Sequence, residues 1–184
     1  MVKRKHLTLG EIDALLAATC VGKYSERDRC LIKMCFIHGL RASEVCQLKI
    51  SDIDLRDNVI YIRRLKNGFS TVHPLASEEI PLLKRWLISR SGWREAHCDW
   101  LFLSQKGTQL TRKHVHHLIR RYGLVAGISI KSHPHMLRHA CGYALADSGI
   151  DTRLIQDYLG HRNIRHTVIY TASNPNRFRG LWQK

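Results

Sequence analysis

The β-type pattern of this chain is confined to one short window, and that confinement does most to limit the folds open to it. Between Ile53 and Val72 the apolar residues come in short β-rich runs, Ile53 to Leu55, Val59 to Ile62 and Phe69 to Val72. The breaks between them, Arg56-Asp57-Asn58 and Lys66-Asn67-Gly68, are turn chemistry. Asn-Gly in particular supplies the positive backbone angles of a tight hairpin. The window therefore predicts a three-stranded antiparallel sheet and nothing larger.

Everything outside that window reads as helix. Thr8 and Glu11 form a capping-box pair that opens a helix to about Cys20. Ser25 opens a second that stops at Gly39, and a third, short one begins around Arg41. Arg41 then sits in a first turn, where unpaired amides and the helix dipole favour an anion. Ser77 is read as the cap of a helix to about Ser89, followed by a loop from Ser91 to Asp99 and a buried stretch from Trp100 to Leu103. Thr111 opens a helix with Val115, Leu118, Ile119 and Tyr122 facing inward. Pro134 suits a first turn, and that helix runs to Gly149. Asp151 caps the next, which Gly160 ends, and a last helix from about Asn163 carries Tyr170. The expected fold is mainly α with one small antiparallel sheet (α+β). It forms a single domain over residues 1–184, with a short tail from about 171 to 184.

A chain of 184 residues, 44% of them hydrophobic, can bury one good core. Thirty Lys plus Arg against fifteen Asp plus Glu leave +15, spread along the sequence, which points to a polyanion. No apolar stretch is long enough to span a bilayer, so the expected partner is nucleic acid and not a membrane. The start, Met1 to His6, is charged and lacks the apolar run of a secretory signal, which places the protein in the cytoplasm. Six cysteines without a Cys-x-x-Cys pair read as reduced thiols, with Cys30, Cys35, Cys46 and Cys141 in the core. His114, His116 and His117 cluster, but without Cys or carboxylate partners at ligand spacing they predict no metal site.

The chemistry-bearing residues are those suited to a phosphodiester. Its charge grows in the transition state and needs fixed donors on the non-bridging oxygens. Arg41 and Arg138 are assigned that role, because a guanidinium is always charged and its planar fork holds two oxygens. Any single arginine in a chain this basic reads first as a surface cation. Here His135, Arg138 and His139 fall at i, i+3 and i+4, on one helical face beside a buried stripe. Tyr170 is the candidate nucleophile, although a lone tyrosine in such a pattern reads as a core residue. On the Thr111 helix, Arg112, Lys113, His116, Arg120 and Arg121 occupy the outward face and are candidates for DNA contact, with Asn67 at the hairpin tip. No phosphate-binding glycine loop and no carboxylate cluster for two metals appears.

Taken in order, Gly39-Leu-Arg41-Ala-Ser-Glu44, Arg64-Leu-Lys66-Asn-Gly68, His135-Met-Leu-Arg138-His139, Leu159-Gly-His161 and Tyr170 resemble the catalytic domain of the tyrosine site-specific recombinases, the phage-type integrases. The resemblance runs from about Leu7 to Trp182. It is closest to the short recombinases that invert the promoter element of fimbrial operons, through the runs Arg63 to Leu75 and Asp151 to Asn163. It implies that Tyr170 attacks to leave a 3′-phosphotyrosine, that His135 assists as base, that His161 donates to the phosphate, and that Lys66 protonates the departing 5′ oxygen. Glu44 is expected to orient Arg41 or a neighbour. No ATP, metal or other cofactor is expected. The implied partners are double-stranded DNA with inverted repeats, three further copies of the chain in a homotetramer on paired sites, and DNA-bending accessory proteins at the nucleoid. The family's usual N-terminal DNA-clamping domain is not expected, and Phe178, Leu181 and Trp182 in the tail are expected to pack on a neighbouring subunit. Two other classes share the same features: a non-catalytic DNA-binding regulator and a type IB topoisomerase-like enzyme.

Overall fold

The structure, a computed structural model, describes residues 4–65 and 68–172. Lys66, Asn67 and the tail residues Phe178, Leu181 and Trp182 lie outside the described residues. Within them the order is α1 (Leu9–Ala18), α2 (Ser25–Ile37), α3 (Ala42–Cys46), β1 (Ile53–Asp54), β2 (Val59–Ile62), β3 (Thr71–Pro74), α4 (Ile80–Ser91), α5 (Arg112–Val125), α6 (Pro134–Asp147), α7 (Thr152–Leu159) and α8 (Arg165–Ala172). The mainly α architecture with one three-stranded sheet is the one that the sequence predicts.

The capping box at Thr8 forms: its hydroxyl accepts from the Glu11 amide at 3.2 Å, and the Glu11 carboxylate accepts from the Thr8 amide at 2.9 Å. Ser25, by contrast, is the first residue of α2 and Tyr24 holds the cap position. The Tyr24 ring packs 4.9 Å from Trp93, with the buried Arg27 guanidinium over both rings, and this anchor sets where the helix starts. Helix α2 is central, with Leu31, Ile32, Met34 and Cys35 wholly buried against α4 and α6. Gly39 ends it at φ +56°, a left-handed conformation that glycine adopts without penalty. A Cβ at Gly39 would lie 2.4 Å from Leu159 Cδ2, so the turn also presses directly on α7. The chain reverses there and places Arg41 at the N-cap of α3.

The sheet is antiparallel in the order β1-β2-β3, with Ile60 opposite Ile53 and His73. Alternation puts Ile60, Ile62 and His73 in the core and leaves Tyr61 and Val72 exposed. Strand β3 begins two residues later than Phe69, because the Arg64 amide donates to the Ser70 side chain at 3.3 Å in place of a ladder bond. Ser77 does not cap α4. Glu79 holds that position, its carboxylate accepting from the Ala76 amide at 2.6 Å, and Pro81 occupies the first turn, where no amide is needed. From α4, the Arg90 guanidinium donates to the carbonyls of Ala96, Cys98, Trp100 and Leu101 and so ties down the loop that follows.

Asp151 caps α7 as read, and Gly160 closes it at φ +64°. Helix α8 starts two residues after Asn163, whose side-chain oxygen accepts from the Arg165 amide at 2.9 Å. Two apolar clusters result. The larger joins α1 to α6 and the sheet around Trp86, which stacks on Phe102 and donates to the Leu101 carbonyl. The smaller, of Cys141, Ala146, Ile155, Leu159 and Tyr170, lies between α6, α7 and α8. Gly39 sits at the seam between them. Gly39→Ala, which meets both the left-handed backbone and the Leu159 methyl, is expected to destabilise the fold by about 1–2 kcal/mol or more, read as a lower urea midpoint. A wild-type midpoint would show that this turn does not constrain the packing.

Candidate active site

Glu44, 2% exposed, is the point on which the charged residues converge. Its carboxylate accepts from the backbone amide of Arg41 at 2.9 Å, from the Arg41 side chain, from Arg64 Nη1 at 3.0 Å and from the Leu65 amide at 3.3 Å. Arg138 Nη1 stands 3.9 Å away. Burial alone would raise the Glu44 carboxyl, but Arg64, the Arg41 amide, Arg138 and Arg41 together hold it below the ordinary carboxylate value. Three guanidiniums thus share one carboxylate, leaving two positive charges in excess.

Those guanidiniums also grip the backbone. Arg138, 1% exposed, donates from Nη1 to the Gly39 carbonyl and from Nη2 to the Leu159 carbonyl at 2.8 Å. Arg64 donates to the carbonyls of Gly39, His38 and Tyr158. Its Nε is buried without an acceptor among the described residues. Burial first, then repulsion from Arg41 and Arg64, lowers Arg138 to about 9. Arg41 is the arginine of the three that keeps a partly open side chain, 22% exposed.

His161 follows the left-handed Gly160, and its backbone is held at both ends: its amide donates to the Gln156 carbonyl, and the Gln156 side-chain amide donates to the His161 carbonyl. Its Nδ1 lies 2.9 Å from the Thr167 hydroxyl. Tyr170 is 1% exposed, its ring packed on Gly142, where a Cβ would come within 2.5 Å. The ring stands 6.3 Å from that of His161, nearly parallel, and its hydroxyl is 3.0 Å from His139 Nδ1. Burial raises the Tyr170 phenol to about 12 despite the opposing pull of Arg138. The phenol therefore keeps its proton, and it donates that proton to His139 in the tautomer with hydrogen on Nε2.

The ring hydrogen-bonded to Tyr170 is accordingly that of His139. His135, expected as base, is exposed on α6, with its ring edge-on to His139 at 4.4 Å. Two cavities flank this group. One of about 790 Å³ is lined by Arg41, Arg153, Gly160, His161, Arg162 and His166, among others. The other, of about 420 Å³, is lined by Arg4, Lys5, Lys131, His133, His135 and His139 with two apolar residues. Arg41, Arg138, His161 and Tyr170 are therefore brought together, with His135 at the rim and Lys66 outside the described residues. Sequence reasoning gave no role to Arg64, Arg153, Arg162 or His166, which line the larger cavity or brace Glu44. A signal for Arg64 existed: it shares the inward parity of Ile60 and Ile62 on the β2 alternation.

Helix α5 buries Val115, Leu118, Ile119 and Tyr122 as its period predicts and leaves Arg112, Lys113, His116, Arg120 and Arg121 exposed. The face joins the site through His116, whose ring lies parallel to that of His133 at 6.4 Å. Arg121 is already engaged, donating to the Tyr122 hydroxyl, which donates in turn to Asp28. Among the described residues, no three His, Cys, Asp or Glu side chains are grouped to hold a metal ion, and no helix is long and apolar enough to cross a membrane.

Comparison with known proteins returns one consistent group. Residues 5–177 match the Phage integrase family. Type 1 fimbriae regulatory protein FimB of Escherichia coli (strain K12) is 58% identical over 182 residues, covering 99% of this chain and 91% of FimB. The crystal structure of XerA recombinase superposes with a TM-score of 0.83 at 31% identity, over 95% of this chain and 62% of XerA. XerH site-specific recombinase, in its pre-cleavage complex with difH substrate, gives 0.79 at 32% identity, over 91% of this chain and 50% of XerH. The chain thus spans between half and two thirds of these two solved chains.

The histidines predict how stability depends on pH. Burial, with Arg138 and Arg41, holds His161 near 3, and burial, with His135 and Arg138, holds His139 near 4. In the unfolded chain both protonate near the ordinary value of about 6.5. Between about pH 6.5 and pH 4 the unfolded chain therefore binds more protons, and stability that is complete above that window falls as pH falls. The slope is at most about 1.4 kcal/mol per pH unit for each ring. Urea unfolding at about pH 7.5 and about pH 5 is expected to show a lower midpoint at the acid end, with a smaller difference in His161→Gln. Equal midpoints would mean that these rings are not held neutral by the fold.

Proposed function

Because the chain belongs to the phage integrase family, we propose that it is a site-specific DNA recombinase that cuts and rejoins DNA through a 3′-phosphotyrosine, inverting a promoter element that controls fimbrial genes. The observation that carries this reading is the placement of Tyr170 and His161 beside three arginines that share a single carboxylate. A scissile phosphate in the larger cavity meets Arg41 and His161 directly and supplies the counter-charge that Glu44 alone does not. The likeness to FimB supports the fimbrial assignment, and the likeness to XerH, solved on its DNA substrate, supports duplex DNA as the partner.

In the proposed reaction the Tyr170 oxygen attacks phosphorus, the phenolic proton passes to a histidine, and the bond to the 5′ oxygen breaks. His139 is the histidine already in contact with that proton. Lys66 supplies the proton that the 5′ oxygen takes up, as the resemblance implies. Arg41 and Arg138 stabilise the charge that grows on the non-bridging oxygens; one preorganised donor of this kind is worth on the order of 3 kcal/mol, or about a hundredfold in rate. The phosphotyrosine keeps the bond energy of the cut strand, so a 5′-hydroxyl from a second duplex completes the exchange without ATP. The Tyr170 hydroxyl faces inward in this structure, so engagement of DNA must bring it out from its seat on Gly142 before attack. Recombination takes place on paired inverted repeats held by a homotetramer at the nucleoid, with DNA-bending proteins assisting.

Two experiments test the proposal. Tyr170→Phe removes the attacking oxygen and leaves the ring contacts, so it is expected to bind the cognate site at wild-type affinity and to form no covalent adduct on a nicked substrate that traps it. An adduct with the Phe variant would show that the nucleophile lies elsewhere, and none with wild type would leave a DNA-binding regulator. If Arg112, Lys113 and Arg120 meet phosphates, each neutral replacement is expected to flatten the slope of log affinity against log salt by about 0.9. Loss of sequence preference with the slope unchanged would assign them to bases instead.

A further inference from the structure

Two guanidiniums bridge the same two pieces of chain. Arg138 joins the Gly39 carbonyl to the Leu159 carbonyl, and Arg64 joins the His38 and Gly39 carbonyls to the Tyr158 carbonyl, the last at 2.7 Å. The turn at Gly39 delivers Arg41 two residues on, and the end of α7 delivers His161 two residues after Leu159. The spacing of Arg41 from His161 is thus set by a pair of side chains that also share Glu44. The two are not equivalent. In the proposed reaction Arg138 must also serve the phosphate, whereas the Arg64 side chain is 0% exposed and lines neither flanking cavity.

We infer that Arg64 is a positioning residue for strand cleavage: its buried fork holds the Gly39 turn and the end of α7 at the separation at which Arg41, Arg138 and His161 grip one phosphate. The inference rests on the cleavage reading proposed above. The surroundings of its stem point the same way. A Cβ on Gly160 would lie 2.7 Å from Arg64 Cγ, and one on Gly68 would lie 2.9 Å from Arg64 Cβ, so two glycines leave a slot that this stem fills. The buried Nε has no acceptor among the described residues. Lysine cannot substitute. Its ammonium is a single point of donors and cannot reach both segments with a planar fork.

The test compares two scissile groups in one nicked substrate: the natural phosphodiester, and a methylphosphonate in which a methyl group replaces one non-bridging oxygen and removes the charge. Alignment of the guanidiniums matters for the first far more than for the second. Arg64→Lys is expected to bind the uncut site as wild type does, to form adduct about 100-fold more slowly on the phosphodiester, and to lose less than about tenfold on the methylphosphonate. Equal slowing on both substrates would mean that Arg64 only stabilises the fold, and would overturn the inference. Should Arg64→Lys unfold below the assay temperature, Arg64→Gln replaces it. That variant keeps Arg41 and Arg138 and loses only the guanidinium fork, and is expected to give the same split; equal loss on both substrates again overturns the inference. Wild-type protein that forms no adduct on the phosphodiester would overturn the cleavage reading, and this inference with it.

Discussion

The buried carboxylate of Glu44 is the interaction on which the rest of the site depends. Removing an ion from water costs several kcal/mol even after the protein relaxes, and the cost is recovered only where partners and hydrogen bonds are well placed. Glu44 has them in Arg41, Arg64 and two backbone amides, with Arg138 close by. The arrangement ties three distant parts of the chain into one place: the start of α3, the end of β2 and the middle of α6. It is not electrically balanced. The excess of two positive charges, held where water is scarce, is a standing demand for an anion, and Arg41 provides the side through which one can enter.

Burial likewise sets the protonation of His161, His139 and Tyr170. His161 and His139 are held neutral and the Tyr170 phenol is held protonated, because a low-dielectric pocket penalises each charged form. Nearby arginines push the histidines further in that direction and pull the tyrosine back. In this state the proposed nucleophile, Tyr170, is buried and its hydroxyl is hydrogen-bonded to His139. A phosphate changes the balance, since its charge offsets the arginines and lets a histidine accept a proton more readily. The apolar cluster that holds Tyr170 is far slighter than the core built on Trp86, so in the proposed reaction it is the part that would yield when the oxygen turns outward.

The route from this centre to the proposed DNA-contacting face of α5 is short. His133, at the cap of α6, lines the smaller cavity and faces His116 of α5, so the basic face of that helix continues the surface beside the tyrosine. A duplex whose phosphate sits in the larger cavity would find its neighbours met by Arg153 and Arg162 on one side and by Arg4, Lys5 and Lys131 on the other. Part of the charge spread through the sequence therefore lines these two cavities.

By itself the sequence determined what depends on neighbours within a few residues. The confinement of the sheet, the Thr8, Thr111 and Asp151 caps, the glycine stops at positions 39 and 160, and the inward stripe of α5 were all legible, because each rests on local backbone chemistry or a short period. Through their order and the helical spacing around Arg138, the sequence also put forward Arg41, Arg138, His161 and Tyr170, which the structure places near one another. Only the tertiary structure decided which groups meet. The seat of Tyr170 on Gly142 and His139, the clamp of Arg64 on carbonyls of residues 38 and 158, and the start of α2 at Tyr24 all depend on contacts with residues distant in the chain. Periodicity states that a residue faces inward, as it did for Arg64 behind Ile60 and Ile62. It does not state what waits inside, because the partner's position is fixed by the packing of other elements.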